Sequence, residues 1–393
     1  MIIGHYDSEL WSKGGISSYI RRVSRAQRAA GHQVYYFSFY PCPDRVEDPA
    51  EEPQMIASDT DLFEQAQSLR LDVLHLHKPI STPPPDELCV LRTVHGHQPY
   101  CPSGSKFLKR WNKPCDRPYS LLGCLWGHYI DHCGSIRPKT TQFNFQYTNS
   151  ELSILLTMPV ITVSQFLKDQ MVKAGYAADS IHVLHLPAPD RFSEAPPPQH
   201  GTPRFVVVGR IAPEKGMGFL LQALQQVTVP IHLDIVGEGY YESDLRDRVR
   251  QLGMDDRVTF HGWVNSDQAL DLMQNARAVI FPSIWHEPAG FISLEAATVS
   301  RAVIGTRVGG IPEYTGLLQN ALLVEPDNQP ELAAAITRLA TDWNVAMHLG
   351  QQGREQVAQH FSGHQHLEQL IQVYQQAVHR KQFLVKGISE CNR

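Results

Sequence analysis

The chain repeats one pattern: a short run of β-branched and aromatic residues, then a turn, then an amphipathic stretch. In the first half such runs occur at QVYYFSFY, DVLHLH, CVLRTVHG, PVITVS and SIHVLHLP. Helical patterns lie between them, as in GGISSYIRRVSRAQRAAG and SQFLKDQMVKAG. Because strands that alternate with helices pair in parallel, this pattern predicts an α/β fold with a doubly wound sheet.

A proline-rich segment around Ala195, EAPPPQHGTP, interrupts this pattern and has no hydrophobic periodicity. The alternation then restarts with RFVVVGR, IHLDIVGEG, RVTFHGWV, RAVIFPS, RAVIGT and ALLVEP. We therefore predict two Rossmann-like domains, residues 1–195 and 203–362, that face each other across a cleft. Residues 363–385 form a helical pattern with no strand left to cover, so we expect this helix to pack on the first domain. Ligands should bind beyond the carboxyl ends of the strands.

The charge argues against nucleic acid as a partner, and the distribution of apolar residues argues against a membrane span. Lys and Arg total 35 against 40 Asp and Glu, a net charge of −5 that offers no cationic field for nucleic acid. The N-terminal sequence lacks the pattern of a signal peptide, and no run approaches the roughly 18 apolar residues of a membrane span. The sequence predicts a cytoplasmic protein and leaves peripheral contact with the cytoplasmic membrane face open.

Two glutamates lie eight positions apart in WHEPAGFISLEA, with a helix start between them. Eight helical residues rise about 12 Å, so Glu287 and Glu295 can reach different parts of an extended ligand and accept hydrogen bonds from sugar hydroxyls. The amides of Ala289, Gly290 and Phe291 lack intrahelical acceptors at the helix start and can donate. A structural role, with Glu287 capping the helix and Glu295 facing solvent, stays open at this point.

Cations and glycines mark three further turns. In VVVGRIAPEKG, Arg210 and Lys215 follow a strand and precede a helix, an arrangement that suits a diphosphate. We expect Lys215 in a solvent-accessible turn. Gly14 and Gly15 open a helix in KGGISSYI, and GGIPEYT, residues 309–315, supplies another turn whose amides can approach an anion. Each of these stretches could equally be an ordinary surface turn.

Taken in chain order, GRIAPEKG, VGEG, FHGWV, the Glu287 and Glu295 pair and GTRVGGIPE resemble the retaining glycosyltransferases of family 4, which have the two-domain GT-B fold. The resemblance is dense from Arg204 to about Phe361 and thinner before it. It implies that a sugar moves from a nucleotide diphosphate sugar to an acceptor hydroxyl with its anomeric configuration retained.

The resemblance also implies a role for each matching position. Arg210 and Lys215 would bind the donor diphosphate, and Glu295 would hold the ribose hydroxyls. Glu287, with the amides of residues 289–291, would hold the transferred sugar.

Three weaker matches complete the implied donor site. Val264, after FHGWV, would meet the nucleobase through its backbone, and Gly15 would lie near the phosphates. His95 in TVHGH matches a strand-end histidine that contacts the sugar near its reacting carbon, although a structural role stays open for it. The chain departs from the family at Ala289, where an aromatic residue is usual, and in VSRAVIGT, which lacks the usual Gly-x-Pro. Both departures put donor preference in doubt.

No Asp-x-Asp motif precedes a strand end, so we expect a metal-independent reaction without a cofactor, in which Arg210, Lys215 and helix-terminal amides neutralise the leaving diphosphate. Attack from the face of departure is favoured, with a phosphate oxygen taking the acceptor proton. The acceptor would be a glycan, a lipid-linked glycan or a small molecule. A sugar-nucleotide epimerase and a non-catalytic nucleotide-sugar-binding protein are the alternatives.

Four cysteines cluster in a stretch of the first domain, residues 97–135, that has Pro and Gly in place of a continuous helix: Cys101, Cys115, Cys124 and Cys133. A long loop with little regular structure needs a staple. A structural zinc is one prediction, with His128 or His132 able to replace one thiolate. Free or mixed cysteines and disulfides stay open as alternatives, because the Cys-x2-Cys pairs of most zinc sites are absent.

Overall fold

The computed structural model describes residues 1–12, 14–42 and 48–391, with side chains up to residue 381. Lys13 of the KGG motif lies outside the described residues. The described chain forms two α/β units joined by the proline-rich segment, as the alternating pattern predicts.

The first unit contains a parallel seven-stranded sheet and a small antiparallel hairpin. The strands of this unit are β1 (Ile2–Tyr6), β2 (Gln33–Ser38), β3 (Gln54–Met55), β4 (Val73–Leu76), β5 (Val90–Val94), β6 (Phe107–Leu108), β7 (Lys113–Pro114), β8 (Val160–Thr162) and β9 (Ile181–Val183). The sheet has the order β3-β2-β1-β4-β5-β8-β9, and β6 pairs with β7. The helices are α1 (Gly15–Ala29), α2 (Asp59–Ser68), α3 (Leu121–Tyr129), α4 (Pro138–Leu155) and α5 (Gln165–Lys173).

The second unit contains a parallel six-stranded sheet. Its strands are β10 (Arg204–Val208), β11 (His232–Val236), β12 (Val258–Gly262), β13 (Ala278–Phe281), β14 (Ala302–Thr306) and β15 (Ala321–Val324), in the order β12-β11-β10-β13-β14-β15. The helices that follow are α6 (Met217–Leu224), α7 (Glu242–Gln251), α8 (Ser266–Gln274), α9 (Phe291–Thr298), α10 (Ile311–Leu318), α11 (Gln329–Thr341), α12 (Trp343–His360) and α13 (Gly363–Cys391).

The central strands are apolar because helices cover both faces of each sheet. Every residue of β5 and of β14 is buried, as expected for parallel strands without a solvent face. Two helix starts carry polar caps: Ser164 accepts from the amide of Leu167 at the start of α5, and Asn265 forms a capping box with Gln268 at the start of α8.

The last helix, α13, packs on the first unit and not on the sheet that precedes it. The Tyr374 hydroxyl lies 2.7 Å from Nδ1 of His75, and the Tyr19 hydroxyl lies 3.1 Å from Nε2 of His366. Gln27 of α1 also donates to the Tyr374 hydroxyl. The C-terminal helix therefore connects the end of the chain to the first sheet.

The proline-rich segment is held by buried arginines of the second unit. Arg277 donates to the Pro198 carbonyl and Arg301 to the Ala195 carbonyl, each at 2.8 Å. Such contacts make the segment a fixed connector.

The expectation of little regular structure in residues 97–135 is wrong in part. The segment contains the hairpin β6–β7 and the nine-residue helix α3. Gly127 lets this helix pack closely on Cys133, because a Cβ there would lie 3.0 Å from the Cys133 sulfur.

Within the described residues, no helix combines the length and the apolar character that crossing a bilayer requires.

Candidate active site

A cavity of about 1060 Å³ opens between the carboxyl ends of the two sheets. Its first wall includes His77 after β4 and His95 after β5, and its second wall includes Arg210 after β10 and Trp285 after β13. Such a position, between strand ends of two facing sheets, is where α/β folds bind ligands. Of the predicted site residues, His95 and Arg210 line this cavity directly.

His95 ends a chain of hydrogen-bonded side chains that runs into the first sheet. Its Nε2 lies 3.2 Å from Nδ1 of His77, and Nε2 of His77 lies 3.0 Å from Nδ1 of His5. Nε2 of His5 lies 2.8 Å from the Gln27 side-chain oxygen, which only accepts. Each neutral ring has one donor and one acceptor nitrogen, so Nε2 of His5, of His77 and of His95 all carry the proton.

Burial keeps these rings neutral. It lowers the pKa of His95 to about 3 and that of His5 to about 4, and it holds the pKa of His77 well below its ordinary value. The cost of taking a charged imidazolium out of water is the cause in each case. His95 is therefore a fixed neutral group whose Nδ1 is an acceptor.

The two predicted cations differ in their surroundings. The Arg210 side chain is 61% exposed and lies 3.0 Å from Glu214. Lys215 lies 2.7 Å from the Glu287 carboxylate, with its ammonium 4.5 Å from the centre of the Trp285 ring. Both cations are therefore paired, but the pair of Arg210 is exposed and the pair of Lys215 is largely buried.

The expected solvent-accessible position of Lys215 is wrong. Its side chain is 20% exposed and that of Glu287 is 8% exposed. The turn is closed by Gly216, whose φ is 73°, and a Cβ there would lie 1.8 Å from the Pro282 carbonyl oxygen. This close approach to the end of β13 carries Lys215 under Trp285 and against Glu287.

Glu287 and Glu295 flank the start of α9, as the sequence predicts. The helix begins at Phe291 with Gly290 as its N-cap and Ala289 just before it. Glu295 has a pKa raised to about 7 because the surrounding protein replaces water, and the charge of Arg22 on α1 lowers it only in part. Burial thus favours the neutral form of the Glu295 carboxyl, and Arg22 of the first domain partly offsets this effect.

The glycine-rich turn at residues 309–310 packs closely against the backbone of Glu287. Gly310 donates its amide to the Glu287 carbonyl at 2.7 Å. A Cβ on Gly309, whose φ is 58°, would lie 2.3 Å from that same carbonyl oxygen. The Gly310 amide therefore already has a backbone acceptor within the protein.

The remaining predicted donor contacts lie at the edges of the cleft. Gly14 and Gly15 begin α1, and a Cβ at either position would meet open space. Ile16, the next residue, lines the cavity. Val264 follows β12 and is half-buried at the carboxyl end of the second sheet.

Several residues that join the two domains were missed from the sequence. Nε2 of neutral His97 lies 2.7 Å from the His286 carbonyl, and Ser164 donates to the Pro288 carbonyl at 2.6 Å. The Trp285 indole donates to the Ser105 carbonyl. The second histidine of the TVHGH motif is the one signal that could have identified His97 from the sequence. The loop that carries Glu287 is thus anchored to the first domain.

The predicted zinc site is not supported. The four cysteines line one small cavity, but no three of their sulfur atoms lie within 4.8 Å of one another in the described chain. Tetrahedral zinc holds its thiolates about 3.8 Å apart. In the described chain, His5, His75 and His77 do have ligand atoms within 4.8 Å of one another. Each ring nitrogen of these three histidines already has a hydrogen-bond partner in the protein, so they form a structural network.

Comparison with known proteins finds relatives of the second unit. Residues 190–356 match the family model described as glycosyl transferases group 1. The chain is 30% identical over 173 residues to an uncharacterized glycosyltransferase of Methanocaldococcus jannaschii. It is 31% identical over 170 residues to a 2-deoxystreptamine glucosyltransferase of Streptomyces kanamyceticus. These matches cover 44% and 42% of this chain and 44% of the length of each relative.

The fold resemblance extends over nearly the whole chain. The crystal structure of HepE from Anabaena in complex with UDP superimposes with a TM-score of 0.70 at 16% identity, covering 96% of this chain and all of HepE. At this coverage the match extends over both units of the chain. Residues 190–356 are thus similar to the glycosyl transferases group 1, and the chain as a whole has the fold of HepE.

Proposed function

We propose that this protein transfers a sugar from a nucleotide diphosphate sugar to a hydroxyl group of an acceptor, with retention of the anomeric configuration and without a metal ion. The acceptor is a glycan, a lipid-linked glycan or a small molecule. We also propose that the domains divide at residues 195 and 203 and that the protein acts in the cytoplasm.

The observation that carries the proposal is that His95 and Arg210 line opposite walls of one cavity of about 1060 Å³. Ligand pockets for drug-sized molecules fall in the range of roughly 300–1,000 Å³, so this one has room for a nucleotide sugar and part of an acceptor. Lys215 and Glu287 lie directly behind Trp285 of the second wall.

Each charged group has a step in this reaction. Arg210 moves from Glu214 to the diphosphate, and Lys215 exchanges Glu287 for a phosphate oxygen as negative charge develops on the leaving group. Glu287 is then able to accept hydrogen bonds from the sugar, together with the amides at the start of α9. A phosphate oxygen takes the acceptor proton on the face from which the diphosphate leaves.

His95 has a positioning role that follows from its protonation state. The neutral His95 ring donates its Nε2 proton to His77, and it adds no positive charge beside the developing oxocarbenium ion. An imidazolium in the same place would repel that ion.

The experiment that tests the proposal is a donor panel of UDP-, GDP- and ADP-sugars with hydroxyl acceptors, read by mass spectrometry, with the anomeric configuration read by NMR. UDP-glucose is the first donor to test, since HepE was also crystallised with UDP-glucose. We expect a product whose mass increases by one sugar, in the configuration of the donor.

Arg210→Ala should abolish most transfer, and Arg246→Ala is its matched control. Both arginines pair with a glutamate four positions away on the second domain, Arg246 outside the cavity. Rearranged donor without any acceptor would instead indicate an epimerase. Donor binding with neither transfer nor slow hydrolysis would indicate a binding protein.

A further inference from the structure

Helix α3 has its apolar side on the outside. At about 100° per residue, Leu121, Leu122, Leu125, Trp126 and Tyr129 all fall on one half of the helix circumference. Leu122 is 81% exposed and Trp126 is 59% exposed. The opposite half carries Gly127 and His128, which are buried. A helix of a water-soluble domain normally buries its apolar face, so this one is oriented for a surface other than water.

Neighbouring segments extend this apolar surface. The indole of Trp111 donates to Asp131 at 2.7 Å, directly beyond the end of α3, and Ile136 and Phe143, just before and within the start of α4, are also exposed. Eight of the sixteen large hydrophobic side chains that are exposed in the described chain lie within residues 111–143. We call the side chains of Trp111, Leu121, Leu122, Trp126, Tyr129 and Ile130 the α3 patch.

Internal contacts fix α3 in this orientation. Nδ1 of His128 lies 2.9 Å from the Ser135 carbonyl, and the His128 ring packs 5.6 Å from the ring of Phe145 on α4. Asp131 accepts from Arg117 at 2.5 Å as well as from Trp111. The apolar face therefore cannot turn inward without losing buried hydrogen bonds.

The charge around the patch is opposite to that of the whole protein. Residues 101–143 contain seven Lys and Arg against two Asp, a formal charge of +5, whereas the chain carries −5. The cations that flank the patch are exposed: Lys109, Arg110, Lys113, Arg137 and Lys139. Arg110 lies at its edge, because its guanidinium donates to the Ile130 carbonyl at 3.2 Å.

We propose that the α3 patch binds the interface of an anionic lipid bilayer. Leucines enter the acyl boundary, Trp and Tyr suit the headgroup level where one end of the ring is wet, and Lys and Arg pair with anionic headgroups. A second copy of the chain is a poorer occupant, since two surfaces of charge +5 would face each other.

Docking through this patch would fix the orientation of the cleft relative to the bilayer. Phe107 and Lys109, at the base of the hairpin beside the patch, line the large cavity. The bilayer would then lie next to the mouth of the cavity on its first-domain side. This consequence, that an acceptor reaches the site from the membrane, rests on the proposed transferase function, whereas the docking itself does not.

The test is co-sedimentation of the full chain with vesicles, without donor or acceptor. We expect binding to phosphatidylcholine vesicles that contain about one-third phosphatidylglycerol, and much weaker binding to pure phosphatidylcholine. Raising the salt concentration should weaken the binding. The double variant Leu122→Ser/Trp126→Ser should lower the affinity at least about tenfold, because its side chains supply buried apolar area. Lys113→Glu/Lys139→Glu should lower affinity for the anionic vesicles only.

The matched control is Leu156→Ser. Leu156 is 53% exposed and lies at the opposite end of α4, about 26 Å along the helix axis. Its binding should equal that of the parent, and circular dichroism should show all variants folded.

Three results would overturn the proposal: equal binding by the parent and the Leu122/Trp126 variant, no binding of the parent to anionic vesicles, or a dimer in solution that this variant converts to a monomer. Sugar transfer to a soluble acceptor would survive any of them, so the two proposals fail separately.

Discussion

Replacement of Lys215 by Ala should destabilise the second domain as well as reduce turnover. The change leaves the Glu287 carboxylate, of which 8% is exposed, without its partner at 2.7 Å. Breaking a buried ion pair from one side costs about 3–5 kcal/mol. The Lys215 side chain is 20% exposed, so we expect the free energy of unfolding to fall by about 3 kcal/mol, at the lower end of that range.

A thermal unfolding scan measures this loss. For a domain of roughly 150–250 residues, 1 kcal/mol corresponds to about 2–4 °C, so the transition of the second domain should fall by roughly 6–12 °C. The double variant Lys215→Met/Glu287→Gln removes both charges and keeps their volumes. It should regain most of the lost stability, because no charge stays buried and unpaired.

The turnover of Lys215→Ala and of the double variant should not follow their stability. Both variants lack the ammonium that we propose neutralises the leaving diphosphate, so each should lose a hundredfold or more in rate, about 3 kcal/mol of transition-state stabilisation. A Lys215→Ala protein that melts with the parent would refute the buried pair. A double variant that regains activity with its stability would refute the role of Lys215 in transfer.

Three other measurements test the site. Glu295→Ala should weaken the binding of free nucleoside diphosphate, measured by calorimetry, and unchanged affinity would place Glu295 outside the donor site. Transfer should survive EDTA, and a loss that magnesium restores would contradict neutralisation by Arg210 and Lys215 alone. The first domain should lose stability as the pH falls from about 6.5 toward 4, because the unfolded chain binds protons that buried His5 and His95, with pKa values of about 4 and 3, do not. Equal melting temperatures at pH 7 and pH 5 would argue against this.

Much of the fold was readable from the sequence because parallel strands are continuous apolar runs. The central strand β1 was missed, since Gly4 and His5 interrupt the run from Ile2 to Tyr6. His5 is fully buried and is satisfied by His77 and Gln27. No local sequence pattern predicts a buried histidine in a strand, because its hydrogen-bond partners come from other elements.

The site was predictable in its residue types and not in its pairings. His5 and His75 lie side by side only because β1 and β4 are neighbours in the sheet. Lys215 and Glu287 are 72 positions apart and meet because β10 and β13 are neighbours. Strand order decides which strand-end residues touch, and periodicity carries no information about strand order.

The contacts between the domains determine when the site is complete. The loop that carries Glu287 is bound to the first domain through the backbone on both sides of that residue, by His97 at the His286 carbonyl and by Ser164 at the Pro288 carbonyl. Any separation of the domains must break both hydrogen bonds, and it would move Glu287 away from His95 at the same time. The residues that hold the domains together are therefore the ones that position the carboxylate, so closure of the cleft and assembly of the proposed sugar site should be one event.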